Sequence, residues 1–104
     1  MVLEIADFAV LPGQEDEFIA AFRRAVGLIR DSPGFRSARM TRGIESPHRF
    51  VFQVEWNELD DHVVGFRESE RFTRWRAAIA PYFDGAPTVE HFTDVAADAP
   101  AVAD

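Results

Sequence analysis

Two side chains in the second half of the chain could do proton chemistry together, His62 and Arg76. In the stretch "EWNELDDHVVGF", His62 lies three residues after Leu59 and four before Phe66, so on a helix it falls on or beside the apolar face. A histidine there either packs into a core and satisfies its nitrogens with backbone or water, or it faces a pocket and moves protons. Imidazole titrates near neutrality, so at a cavity wall it can take a proton from a phenol or a carbon acid. Arg76 comes four residues after Phe72 and three before Ile79, again at the border of an apolar stripe. Its guanidinium either pairs with Glu68, Glu70 or Asp84 with its stem along the helix, or holds a developing enolate or phenolate oxygen in a water-poor site.

Around these two the sequence supplies flat surfaces. Trp56, Phe52, Phe66, Phe72, Trp75 and Tyr82 are aromatic enough to sandwich a planar ligand, and they are also what any small core would use. His91 alternates with Val89 on a late extended segment and would line either a cavity or an interface between subunits. His48 sits in a turn beside Pro47 and is expected at the surface. No two of the three histidines have metal-ligand spacing, so no metal site is predicted. Glycine-rich phosphate loops, a G-x-S-x-G elbow and dinucleotide fingerprints are absent from the sequence.

Composition narrows the chemistry further. All 11 basic residues are arginine, which excludes lysine Schiff bases, and the absence of cysteine removes thiol nucleophiles, disulfides and thiolate metal sites. Eighteen acids against those 11 bases give a net charge of −7, which repels nucleic acid and anionic membrane faces. Neither is expected as a partner. The start "MVLEIADFAVLPG" lacks the basic region of a signal peptide, and no apolar run approaches the roughly 20 residues of a membrane helix. The reading is a cytoplasmic protein, with 104 residues enough for one domain.

The elements that must position these side chains are legible as alternating and helical patterns. Val2 to Val10 reads as a strand ending at the Pro12-Gly13 turn. Glu15, Asp16 and Glu17 then open a helix whose stripe is Phe18, Phe22, Val26 and Ile29, stopped by Ser32-Pro33-Gly34. "FRSARMTRG" and "RFVFQVEW" form an antiparallel hairpin across "GIESPH", with Phe50, Phe52, Val54 and Trp56 on one face. Asn57 with Asp60 is expected to cap the next helix, striped by Leu59, Val63 and Phe66 and loosened at Gly65. Ser69 caps a second helix, and "TVEHFTDV", residues 88 to 95, is the last strand. The order predicts an α+β, ferredoxin-like βαββαβ domain over residues 1–95, an antiparallel four-stranded sheet with helices on one face, and a flexible tail over 96–104. Strand one is apolar on both parities, Leu3 and Ile5 against Phe8 and Val10, so a homodimer is the expected cover for the second sheet face.

With "LPGQEDEFIAAF", "SPGFRSARM", "RFVFQVEWNELDDH" and "SERFTRWRAAIAPYF" in this order and "HF" on the last strand, the chain resembles the antibiotic biosynthesis monooxygenase domain family across roughly residues 2 to 95. The resemblance implies a dimeric α+β barrel with a cavity in each protomer between sheet and helices. It also implies cofactor-independent oxidation of an aromatic, polyketide-like phenol or quinol by O2, with no metal, flavin or other prosthetic group. Within it, Trp56 matches the family's tryptophan at the end of strand three, His62 stands where a monooxygenase member carries a tyrosine, and Arg76 matches an arginine. Phe52 replaces an asparagine, a departure from the quinone-forming members.

On that resemblance His62 and Arg76 are the catalytic candidates, and Trp56, Phe52, Phe66, Phe72, Trp75, Tyr82 and His91 the substrate-binding ones. The alternative is a non-catalytic dimer that binds or sequesters a small apolar molecule, as a stress or detoxification protein would. A heme-degrading branch fits less well, because Ser69 to Phe83 contains no histidine and strand one offers Asp7 in place of that branch's asparagine. No heme is expected. Convergence of His62 and Arg76 on one void separates the enzyme from the binder, which needs only an apolar wall.

Overall fold

The computed structural model describes residues 1–96. Four antiparallel strands, β1 (Val2–Ala9), β2 (Phe35–Arg42), β3 (Arg49–Trp56) and β4 (Thr88–Phe92), form one sheet in the order β2-β3-β1-β4. Helices α1 (Glu15–Arg30) and α2 (Glu70–Ile79) cover one face, and a π-helical turn over Asp61–Phe66 and a 3-10 turn over Ala80–Tyr82 flank α2. This is the ferredoxin-like α+β fold expected from the element order. The predicted tail lies almost wholly outside the described residues.

Side-chain alternation sets which face each strand presents. In β1 the inward row is Glu4, Ala6 and Phe8, continued by Val10, all buried, and in β3 it is Phe50, Phe52, Val54 and Trp56. Register pairs Ala6 with Phe52 and Phe8 with Phe50, so both rows lie side by side under the helices. Phe18, Ala21, Ala25 and Ile29 of α1 bury against them. The stripe runs one position off the expected Phe22 and Val26, which are half-buried, because small alanines let the helix approach the sheet. At one end of this core Phe8 stacks on Phe83 with centroids 4.9 Å apart, and Phe18 meets Phe50 edge-on at 4.9 Å.

The outward row of β1 is Leu3, Ile5, Asp7 and Ala9, none of it under the helices. Leu3 is paired with Phe92 and Asp7 with Val51. β4 ends at Phe92, not at residue 95. Beyond it the chain leaves β1, and Val95 is fully exposed.

The segment after β3 departs from its predicted capping. Asp60 makes no side-chain cap, Asn57 accepts a hydrogen bond from Arg36 at 3.0 Å, and the Asp61 carboxylate takes the Glu58 N–H at 2.9 Å. The turn winds as π, with Arg67 N–H donating to the His62 carbonyl at 2.9 Å, five residues back. That winding buries His62 and Phe66 and leaves Leu59, a member of the predicted stripe, at the surface. Gly34, at φ +85°, turns the chain ahead of β2 so closely against Asp61 that a Cβ there would collide with the carboxylate. Ser69 caps α2 as expected, its hydroxyl accepting the Phe72 N–H at 3.3 Å.

Candidate active site

Between the inward face of the sheet and the π turn, α2 and the segment 83–89 lies a cavity of about 480 Å³. Small-molecule sites occupy roughly 300–1,000 Å³. Its aromatic walls are Phe52, Phe66, Phe72 and Trp75, four of the expected contact residues, joined by Phe8 and Phe83. His62 and Arg76 both line it, so the two candidate catalytic groups converge on one void. His62 comes in buried from the π turn, whereas Arg76 reaches the cavity from an exposed position on α2. Arg67, directly after the π turn, lines it as well.

The most consequential residue is one the periodicity reading passed over, Glu4 of β1. It is 5% exposed, lines the cavity, and accepts the Trp56 indole N–H on Oε1 at 2.9 Å. His62 Nε2 stands 3.3 Å from the same oxygen. On the other side of the ring, His62 Nδ1 lies 2.7 Å from His91 Nε2, a hydrogen bond. His91 is the β4 residue directly opposite Glu4 in the sheet register. A continuous polar line therefore runs Trp56, Glu4, His62, His91, and its two middle members line the cavity.

Burial decides the protonation of that line. Desolvation, reinforced by the nearby Arg67 and His91, pushes His62 down to about 3. The ring is neutral at pH 7, and its approach to Glu4 is accordingly that of a neutral imidazole and not of an ion pair. Glu4 is shifted the opposite way: desolvation raises it, against the Trp56 hydrogen bond and the Arg67 charge, which lower it. His91 is lowered by burial and then by Arg67. A carboxyl raised and an imidazole lowered at contact distance are two proton affinities pushed apart, with the carboxyl the stronger proton holder, a pattern that marks acid–base sites.

Three expected contact residues, Trp56, Tyr82 and His91, stand off the cavity. Trp56 is fully buried behind it, stacked on His62 with centroids 5.3 Å apart, so it holds the polar line in place and does not form the wall. Tyr82 is turned toward Phe18, 6.3 Å between centroids, and Phe83 takes the wall position. His91 reaches the site through His62. Asp7 points to the outer face, where Arg49 Nε bonds both its oxygens at 3.1 Å. Among the described residues no cluster of three or more His, Asp or Glu is placed to hold a metal ion. No helix there is long and apolar enough to cross a membrane.

The family profile described as antibiotic biosynthesis monooxygenase matches residues 1–78. YczJ of Bacillus subtilis (strain 168), itself uncharacterized, is 38% identical over 95 residues, covering 91% of this chain and 100% of its own. A Bordetella bronchiseptica structure presented as a candidate antibiotic biosynthesis monooxygenase superposes with TM-score 0.87 at 35% identity, over 90% of this chain and 96% of the other. A monooxygenase from the ActVA-Orf6 gene of Streptomyces coelicolor, solved with the ligand nanaomycin D, gives TM-score 0.81 at 23% identity over 96% and 92% of the two chains. At that identity the likeness carries the fold.

Proposed function

This chain belongs to the antibiotic biosynthesis monooxygenase family, and from that premise we propose that it oxidises a polycyclic phenol or quinol with O2, without a prosthetic group. The observation that carries this reading is the convergence of a buried carboxylate–imidazole pair, Glu4 and His62, and the Arg76 guanidinium on one aromatic-walled cavity. A purely sequestering site gains nothing from burying Glu4 and His62, because both cost desolvation energy that an apolar wall avoids. The Glu4–His62 pair takes the proton of the bound phenol, and the electron-rich anion that remains reacts with O2. Arg76 and Arg67 at the wall hold the anion's oxygen, a donor role that contributes about 3 kcal/mol in comparable sites. Phe52, Phe66, Phe72 and Trp75 hold the ring system flat.

The same premise supports a homodimer. Leu3, Ile5 and Val51 on the outer sheet face, with Phe92 beside them 44% exposed, are covered by no helix among the described residues, and a second copy placed face to face would bury them. The cavity lies on the opposite face of the sheet, so each protomer keeps its own.

The test is oxygen consumption with a panel of polycyclic phenols, native protein against His62→Ala. The expected result is turnover by the native protein and a loss of at least a hundredfold in the variant. Equal rates would remove His62 from the mechanism, and no uptake with any member of the panel would leave the sequestering reading in its place.

A further inference from the structure

The two nitrogens of His62 are both committed inside the protein, Nδ1 to His91 at 2.7 Å and Nε2 against Glu4 Oε1 at 3.3 Å. Neither has a lone pair or proton left to offer a molecule in the cavity. Glu4 is arranged differently. Its Oε1 collects both the Trp56 N–H and the His62 contact, whereas Oε2 accepts no hydrogen bond from any described residue. Oε2 is also absent from the sealed, unpartnered polar atoms of the described residues, where Ser32 Oγ stands alone, so it retains an accessible surface. The surface open to it is the cavity that Glu4 lines. A carboxylate oxygen without a partner, in an aromatic-walled site with two arginines, is a proton acceptor waiting for a donor that arrives with the ligand.

From this geometry we infer that Glu4, and not His62, is the group that takes the phenol proton, with His62 and Trp56 as positioning residues that hold its Oε1 and turn Oε2 to the substrate. The inference rests on the phenol-oxidising reading and names the atom at which it starts. In the step, the phenol O–H bond breaks and an Oε2–H bond forms, the electron pair remaining on the phenolate oxygen. The phenolate then supplies the electron pair of a new carbon–oxygen bond to O2, and the peroxide anion so formed takes the proton back from Oε2. Charge and atoms balance, and Glu4 ends as it began. His62 stays neutral throughout. With its Nε2–H turned to the ionised Glu4, its Nδ1 would be the acceptor in the His91 bond, so a single tautomer serves both contacts and holds the ring against Oε1.

The raised affinity of Glu4 for protons suits this role, since burial makes it a stronger base than an exposed glutamate. The charged and titratable groups that face it are His62 and Arg67 from the π turn and its end, His91 from β4, and Arg76 from α2 across the cavity; Trp56 from β3 is neutral. The Trp56 hydrogen bond and the Arg67 charge oppose that desolvation.

The experiment is done first without oxygen, by titrating the protein with 2-naphthol at pH 7, where the free phenol is neutral, and reading the phenolate absorption band of the bound fraction. The native protein is expected to show the band. Glu4→Gln, which keeps the shape and the Oε1-like acceptor, is expected to bind with Kd within about threefold and lose at least nine-tenths of it. His62→Gln, which can still donate to Oε1, is expected to retain most of it. In air, Glu4→Gln should consume oxygen at least a hundredfold more slowly, in line with the roughly 10²–10⁴ typical of general base catalysis. An infrared difference spectrum of the native protein on naphthol binding needs no variant: a carboxylate band should be lost and a protonated carboxyl band gained.

A phenolate band of equal strength in Glu4→Gln, a native infrared difference without the carboxyl signal, or a band lost in His62→Gln but kept in Glu4→Gln would each overturn the assignment. Bound phenolate without any oxygen uptake would sustain Glu4 and defeat the monooxygenase reading. Oxygen uptake at the same rate in native protein and Glu4→Gln would do the reverse. Failure of naphthol and its polycyclic relatives to bind would remove both.

Discussion

The two ends of one row of side chains on β1 have been put to opposite uses. At the Phe8–Val10 end, neighbours are chosen for shape: Phe18, Phe50 and Phe83 close around Phe8 in stacked and edge-on pairs. At the Glu4 end, on the same parity of the same strand, the neighbours are Trp56, His62 and His91, and the space in front of them is left open. The first end holds the domain together; the second draws on that stability, since a carboxylate and an imidazole without water oppose folding unless paired. Segregating the two along a single strand lets the polar line be carried by a neighbour already rigid.

The contrast can be broken from either side. Phe18→Ala at the closed end should cost about 3–5 kcal/mol in denaturant-induced unfolding, the range for a buried phenylalanine, with little dependence on pH in the difference from native protein. A difference that varied strongly with pH would mean the two ends are not separate.

The open end should instead announce itself through pH. His62 is held at about 3 in the folded chain, well below its ordinary value, so the unfolded state binds its proton first as pH falls. Its contribution to stability is therefore complete above about 6.5 and lost progressively toward 3, approaching roughly 4 kcal/mol there. Glu4 is raised, so its own effect has the other sign: stability is lost as pH rises from the ordinary carboxylate range through its folded value. Because Glu4 is present in both proteins, comparing native with His62→Gln in chemical melts from pH 7 to pH 3 isolates the imidazole. Parallel curves would show that His62 is not a buried neutral ring.

Smaller effects sharpen the boundary. Arg76→Ala leaves an exposed helix position, so its unfolding should change by less than about 0.5 kcal/mol while phenol oxidation falls roughly a hundredfold, as when one oxyanion donor is removed. Ser69→Ala removes the α2 cap and should cost about 1 kcal/mol by thermal melt, with kcat little changed.

Much of this arrangement was legible in the amino-acid order. Alternation along "RFVFQVEW" named the inward row of β3 correctly, and element order gave the sheet. Spacing to Leu59 and Phe66 put His62 toward the core side, although Leu59 itself is exposed, because a π turn shifts every residue around the axis relative to an α-helix. Glu4 escaped because attention to parity in strand one stopped at its apolar members. The signal was there, a lone acid in register with Ala6, Phe8 and Val10. The hydrogen bond between His62 and His91, 29 residues apart, had no local signature at all, since it depends on β4 returning beside β1. Tyr82 was the expected contact residue, but the 3-10 turn after α2 brings its neighbour Phe83 to the cavity instead.

The widened turn at Asp61–Phe66 also sets how this scaffold can diverge. It holds one residue more than a tight helical turn needs, with Gly65 free of close neighbours on its Cβ side apart from the Asp60 carbonyl. Deleting that glycine would let the segment rewind with 3.6 residues per turn and swing the imidazole about 100° around the axis, away from Glu4. A single lost codon would thus leave Glu4 without the ring that steadies its Oε1, a proton acceptor loose in its own cavity, while the sheet beneath stays intact.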